Sequence, residues 1–138
     1  PPYVKHELYR ELKKGNDIKL ENGERFKSSE LTFPPNKQRS YSYCSDTAYN
    51  EKIIPFIKGS SLLYHESTFL DELKSRATMT MHSTSKEAAT IAKLANVDKL
   101  IVGHFSARYD DLIPFKEEAQ EVFKNSDLAI EGNTFDIF

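Results

Sequence analysis

The stretch Lys99-Leu100-Ile101-Val102-Gly103-His104-Phe105-Ser106-Ala107-Arg108-Tyr109 is an apolar, β-branched run that stops at a glycine and opens into histidine, serine, arginine and tyrosine. Leu, Ile and Val bounded by Gly read as a buried strand. Polar groups just past the carboxyl end of such a strand stand where α/β proteins commonly keep their chemistry. His104 is therefore a metal-ligand or acid–base candidate.

The same pattern recurs upstream. Arg39-Ser40-Tyr41-Ser42-Tyr43-Cys44 is a β-rich run that ends in Ser45-Asp46-Thr47, placing Asp46 at a strand exit. Ser61-Leu62-Leu63-Tyr64 leads to His65-Glu66-Ser67-Thr68, and Thr78-Met79-Thr80-Met81 leads to His82-Ser83-Thr84. Three of the four histidines thus follow short apolar or β-branched runs and stand beside Ser, Thr or Glu. Carboxylate with imidazole is a donor set that suits zinc, and a carboxylate can bridge two ions. No short finger-type spacing is present, so these ligands must converge through the fold. Taken singly, His65 reads as structural, because alternation along a strand turns it away from the face that carries Tyr64 and Glu66. His82 is open between a helix-capping polar residue and a functional group. His6, in a charged amphipathic segment, reads as solvent-exposed.

In this order, Ser45-Asp46-Thr47, His65-Glu66-Ser67-Thr68, His82-Ser83-Thr84 and Gly103-His104-Phe105-Ser106-Ala107-Arg108-Tyr109 resemble the later motifs of the ribonuclease Z family, tRNA 3′-processing endonucleases of the metallo-β-lactamase superfamily. Ser45 stands where the family usually has glycine and Ser67 where it usually has alanine. The resemblance runs along nearly the whole chain. It implies an α/β fold, the C-terminal half of a metallo-β-lactamase-type αβ/βα sandwich over residues 1–138, with the N-terminal metal-binding half absent. The superfamily's His-x-His-x-Asp-His signature does not occur in these residues. The resemblance further implies two zinc ions, with Asp46 as the bridging carboxylate and His104 as a ligand to the second ion. His82, oriented by Glu66, would handle the proton at the leaving oxygen. The substrate it implies is precursor tRNA, cut by phosphodiester hydrolysis. Ser106, Arg108 and Tyr109, beside His104, are the expected substrate-binding residues, arginine being suited to bidentate phosphate contact. Alternatives are a hydrolase of small phosphodiesters or sulfate esters on the same metal centre, and an interaction module that hydrolyses nothing. As a half, the chain alone is expected to be inactive and to associate as a homodimer through the face its missing half would cover.

Composition sets the wider limits. At 138 residues the chain is one domain's worth, with 38% hydrophobic and 29% charged residues, outside the disordered class and without a membrane-spanning run. The balance of 19 Lys and Arg against 21 Asp and Glu supplies no global pull toward nucleic acid, so any RNA contact must be local. Lys37, Arg39, Arg76, Lys86 and Arg108 lie close to the motifs and are candidates to face phosphate, whereas Lys13, Lys14 and Lys19 solvate an outer face. One cysteine, Cys44, excludes an internal disulfide and fits a reducing cytoplasm; it reads as strand filler.

Along the chain, residues 4–14 read as a short amphipathic helix, and Asn22-Gly23 as the turn of a hairpin between residues 18–20 and 25–27. Phe33-Pro34-Pro35-Asn36 is a rigid connector. Residues 49–57 predict a short helix limited or kinked by Pro55, and residues 69–78 a mobile loop at the rim of the site. Residues 85–95 predict the clearest helix, capped by Ser83, Thr84 or Ser85. A strand over 98–102, a helix over 113–124 with Pro114 near its start, and a strand over 128–130 complete the α/β alternation.

Overall fold

The computed structural model describes residues 4–33 and 38–137, so Pro34, Pro35 and Asn36 of the connector, and Lys37 after it, lie outside the described residues. The chain divides into two compact units, residues 1–38 and 39–138.

In the first unit a short 3-10 turn leads into α1 (Tyr9–Lys13), followed by strands β1 (Ile18–Lys19) and β2 (Arg25–Phe26) and helix α2 (Ser28–Leu31). The strands pair antiparallel around the expected turn, where Gly23 takes a φ of 92° that its lack of a Cβ permits. Val4, Leu12 and Ile18 form a small core with Leu8, Leu20, Phe26 and Leu31 around it. No periodic pattern in the sequence marks α2, whose four residues include two serines.

The second unit is a parallel sheet of β3 (Tyr41–Cys44), β4 (Leu62–Glu66), β5 (Lys99–Gly103) and β6 (Ser126–Leu128), in that spatial order. Between them run α3 (Ile54–Ile57), α4 (Lys74–Thr80), α5 (Ser85–Leu94) and α6 (Ile113–Val122). Strand alternation puts Leu63, Leu100, Val102 and Leu128 on the face that packs against Ala88, Ala89, Ile91 and Ala92 of α5 and Phe115 and Ala119 of α6. The alanines let α5 approach the sheet closely. Each large apolar side chain buried there contributes about 1.5–3 kcal/mol. Thr84 caps α5 through a reciprocal pair with Glu87, one of the three capping residues expected.

Three expectations are corrected. Residues 69–78 are not a loop: a 3-10 turn at Asp71–Leu73 runs into α4, which continues through the Thr-Met alternation that reads as β-branched. The threonines fit the helix because Thr78 and Thr80 donate their hydroxyls to the carbonyls of Lys74 and Arg76, one turn back. Pro55 does not kink its helix but sits in the first turn of α3, where a missing N–H costs no hydrogen bond. The last strand is β6 at Ser126–Leu128, earlier than 128–130, because Ser126, Asp127 and Leu128 take register with Leu100, Ile101 and Val102.

Candidate metal centre

The parallel strands end together, and their exits build the site. In register Cys44 stands beside His65 and Glu66 beside Gly103, so the residues that follow β3 and β5 emerge on either side of the carboxyl end of β4. Asp46 and His104 adopt φ values of 50° and 63°, left-handed backbone that non-glycine residues take at a cost of about 1–2 kcal/mol. Met81, the residue before His82, also has a left-handed φ, 61°, and ends α4. All three side chains are thus delivered by, or directly after, a reversal of the chain.

Asp46, His82 and His104 each offer a ligand atom, all within 4.8 Å of one another. Nε2 of His104 lies 3.3 Å from Oδ1 of Asp46, and the rings of His82 and His104 are 5.2 Å apart. Asp46 and His104 are exposed, while the His82 side chain keeps 24% of its surface. An imidazole nitrogen and a carboxylate oxygen at that distance share a hydrogen in the metal-free chain or bind one cation between them. The imidazole of His104 and the carboxylate of Asp46 form a donor pair that fits a metal ion such as zinc, with a His82 ring nitrogen within 4.8 Å of both.

Beneath this group lies Glu66, fully buried. Its Oε1 accepts from the Thr47 backbone N–H at 3.1 Å and faces His82 Nδ1 at 2.8 Å. Its Oε2 accepts from the Thr68 backbone N–H at 3.0 Å and from the Thr68 hydroxyl at 2.9 Å. A buried carboxylate is tolerable only when paired and hydrogen-bonded in this way. With Nδ1 of His82 engaged by Glu66, Nε2 is the nitrogen left for chemistry.

The loop after His104 is pinned from several sides. Phe105 and Tyr109 meet the ring of the fully buried Phe115 edge-on, with centroids 4.8 and 4.9 Å away. Ser67 N–H donates to the Gly103 carbonyl at 2.7 Å, and Ser106 N–H to the Thr68 carbonyl at 3.1 Å. The Tyr109 hydroxyl accepts from Leu70 N–H at 3.3 Å, so it holds the loop to the 69–80 segment. Arg108 is exposed, lies over the Phe69 ring at 5.1 Å and donates from Nε to the Ser106 hydroxyl at 3.0 Å. Gly103 is required for a close approach: a Cβ there would lie 2.7 Å from Cε2 and from the hydroxyl oxygen of Tyr64. The Tyr64 phenol, half-buried and near Tyr43, Tyr41, Glu66 and Asp46, is pushed up to about 12, chiefly by burial.

His65 stays out of the metal group, on the opposite side of β4 from Glu66. It is fully buried, its Nδ1 lies 2.7 Å from the Glu66 carbonyl, and its Nε2 has no partner among the described residues. Burial holds it below the ordinary imidazole range. Cys44 is half-buried against the core, with its thiol pushed up by burial. Of the basic residues near the motifs, Lys86 pairs with Glu121 at 2.9 Å, while Arg39 and Arg76 are exposed. No local pattern in the sequence gives Thr68 a role, although it lies in the His65-Glu66-Ser67-Thr68 motif, two residues from the buried carboxylate. A hydroxyl that close to Glu66 was the available signal.

No family model matches the chain. Ribonuclease Z of Cytophaga hutchinsonii is 53% identical over 126 residues, which cover 91% of this chain and 40% of that protein. Ribonuclease Z of Parabacteroides distasonis is 45% identical over 125 residues, 91% of this chain and 41% of that protein. This chain therefore spans about two-fifths of the length of the curated relatives it matches. Among solved structures, the metallo-β-lactamase fold protein YhfI from Bacillus subtilis superposes with a TM-score of 0.67 at 26% identity, covering 74% of this chain and 42% of that one. The short form of human tRNase Z superposes at 0.50 with 29% identity, over 62% of this chain and 27% of that one.

Proposed function

We propose that this chain, which over its matched span belongs to the ribonuclease Z family and carries part of a metallo-β-lactamase fold, supplies one side of the active centre of an endoribonuclease that removes the 3′ trailer from precursor tRNA. The observation that carries this reading is the convergence of Asp46, His82 and His104 over the buried Glu66. The fold family implies a metal, and the imidazole of His104 with the carboxylate of Asp46 suits zinc. When bound, a pair of zinc ions polarises the phosphodiester and supplies a hydroxide near neutral pH.

Asp46, at the exposed end of the β3 exit, would hold the ions together, and His104 would bind the second. His82 delivers a proton from Nε2 to the departing ribose oxygen, while Glu66 keeps Nδ1 protonated and stabilises the charged ring. That assignment leaves a free hydroxyl on the tRNA 3′ end. Arg108, held over Phe69 and beside Ser106, would bind phosphate, with Tyr109 securing the loop that carries it. Catalytic zinc takes about three protein ligands per ion, so completing two sites requires groups beyond Asp46 and His104. They would come from the part of the ribonuclease Z fold that this chain does not span, and the chain by itself would be inactive. No described helix is long and apolar enough to cross a membrane, and the single cysteine suits a cytoplasmic enzyme. Tyr41 and Tyr43, exposed on the edge strand β3, are the surface through which the isolated chain would form a homodimer.

The test is a chimera that joins the unmatched part of the Cytophaga hutchinsonii ribonuclease Z to this chain. Cleavage of a precursor tRNA to a product ending in a 3′ hydroxyl, lost on Asp46→Ala, is the expected result. A folded, metal-loaded chimera that hydrolyses small phosphodiesters but leaves precursor tRNA intact would overturn the reading.

A further inference from the structure

The buried carboxylate of Glu66 touches one imidazole of the metal group directly and reaches the other through a single hydroxyl. The Thr68 hydroxyl oxygen lies 2.9 Å from Glu66 Oε2 and 2.9 Å from His104 Nδ1. Thr68 is itself more than nine-tenths buried, so water does not compete for these contacts. A hydroxyl has one hydrogen to donate. Both Glu66 oxygens already accept backbone N–H groups, from Thr47 and Thr68, so the carboxylate takes the hydroxyl hydrogen as an acceptor too. The Thr68 oxygen is then left as acceptor toward His104, and the Nδ1 of His104 must carry the hydrogen.

We infer that Thr68 is a positioning residue that fixes His104 as the Nδ1–H tautomer, so that Glu66 orients both imidazoles of the site and leaves each Nε2 turned to its task. The inference rests on the reading of His104 as a metal ligand for its consequence, but the tautomer itself can be measured without metal or substrate. In the neutral ring with Nδ1 protonated, the lone pair sits on Nε2, the atom 3.3 Å from Asp46 Oδ1. With the hydrogen on Nε2 instead, that lone pair would be lost to the metal and Nδ1 would point its own at a hydroxyl whose hydrogen is committed elsewhere. Outer-shell partners of this kind commonly set metal affinity by 10–100-fold. Threonine is suited to the task because its methyl group restricts χ1, which holds the hydroxyl in the line between the two partners.

The experiment is long-range proton–nitrogen correlation on the metal-free 138-residue chain with labelled histidine, alongside titration with zinc ions alone. His104 should appear as the Nδ1–H tautomer in the unmodified chain and in Thr68→Ser, which keeps the hydroxyl. Thr68→Val, which keeps the shape and removes the hydroxyl, should shift His104 toward the Nε2–H form and weaken zinc binding about 10–100-fold. Finding Nδ1 of His104 without a hydrogen in the unmodified chain would overturn the inference, whether or not any variant folds; a ring protonated on both nitrogens, with Nε2 sharing its hydrogen with Asp46 Oδ1, keeps the Nδ1 hydrogen and supports it. Unchanged His104 tautomer and zinc affinity in a folded Thr68→Val would overturn it as well. A chimera that fails to cut precursor tRNA would sink the proposed function and leave this tautomer result standing.

Discussion

Asp46 Oδ1 lies 3.3 Å from His104 Nε2, and both residues hold left-handed backbone at the ends of strands that are not neighbours in the sheet. Strain in two facing residues at the mouth of a site is the signature of a geometry imposed by the surrounding fold. The strand β4 between them carries Glu66, so the carboxylate that orients the histidines also lies between the two strained exits.

That strain predicts opposite responses at Asp46. Asp46→Gly removes the steric penalty at φ 50° and should leave the melting temperature of the metal-free chain unchanged or slightly raised. Asp46→Val, β-branched at the same φ, should destabilise by about 1–3 kcal/mol. Thermal unfolding by circular dichroism distinguishes the two, and equal losses would show that the side chain, not the backbone, matters for stability.

Zinc titration calorimetry separates ligands from proton carriers. Asp46→Ala and His104→Ala should each abolish measurable binding, whereas His82→Ala should retain it. In an active chimera His82→Ala should lower turnover by about 10²–10⁴-fold and Glu66→Gln by about 10–100-fold. Loss of zinc from His82→Ala as complete as from Asp46→Ala would make His82 a ligand.

His65 makes stability depend on pH. Its folded pKa lies below the unfolded value of about 6.5 because burial disfavours the charged ring, and a hydrogen on Nε2 would find no acceptor there. The unfolded chain therefore binds the extra proton more readily, so the contribution is fully present above about pH 6.5 and falls as pH drops below it. Denaturant midpoints in the acid range should drop less steeply for His65→Asn than for the unmodified chain. Parallel curves would rule out this residue as a source of the acid sensitivity.

Phe115 supports the site from the far side of its loop. Phe115→Ala removes a fully buried ring and the edge contacts to Phe105 and Tyr109, and should cost about 3–5 kcal/mol. Phe115→Leu should cost less but broaden the signals of residues 104–109, because the edge-on packing is gone. Sharp, unshifted resonances there would show that the backbone bonds alone hold the loop.

Association is read by sedimentation. Dimers at micromolar concentration, weakened by Tyr43→Lys on the exposed edge strand, are expected. A monomer across that range would remove the homodimer.

Strand exits were legible from the sequence because apolar runs that stop at Asp46, Glu66 and His104 carry their own punctuation. The capped helix after Thr84 was legible for the same reason, since helix period and cap are local signals. The segment from Leu70 to Thr80 was not: its threonines suit strand or helix, and the choice fell to bonds made by partners elsewhere in the chain. Glu118 receives Asp71 N–H, and Asp71 receives the Thr84 hydroxyl, ties that a window of sequence cannot contain. Residue types, order and spacing along the chain determined which groups could do chemistry here and that they follow strands. Only the tertiary structure, by setting four strands in parallel register and burying Glu66 at their common end, decided that Asp46, His82 and His104 meet and that Thr68 lies between a carboxylate and an imidazole. Hydrogen-bond geometry and convergence are properties of distances between residues far apart in sequence, and those distances exist only once the sheet has formed.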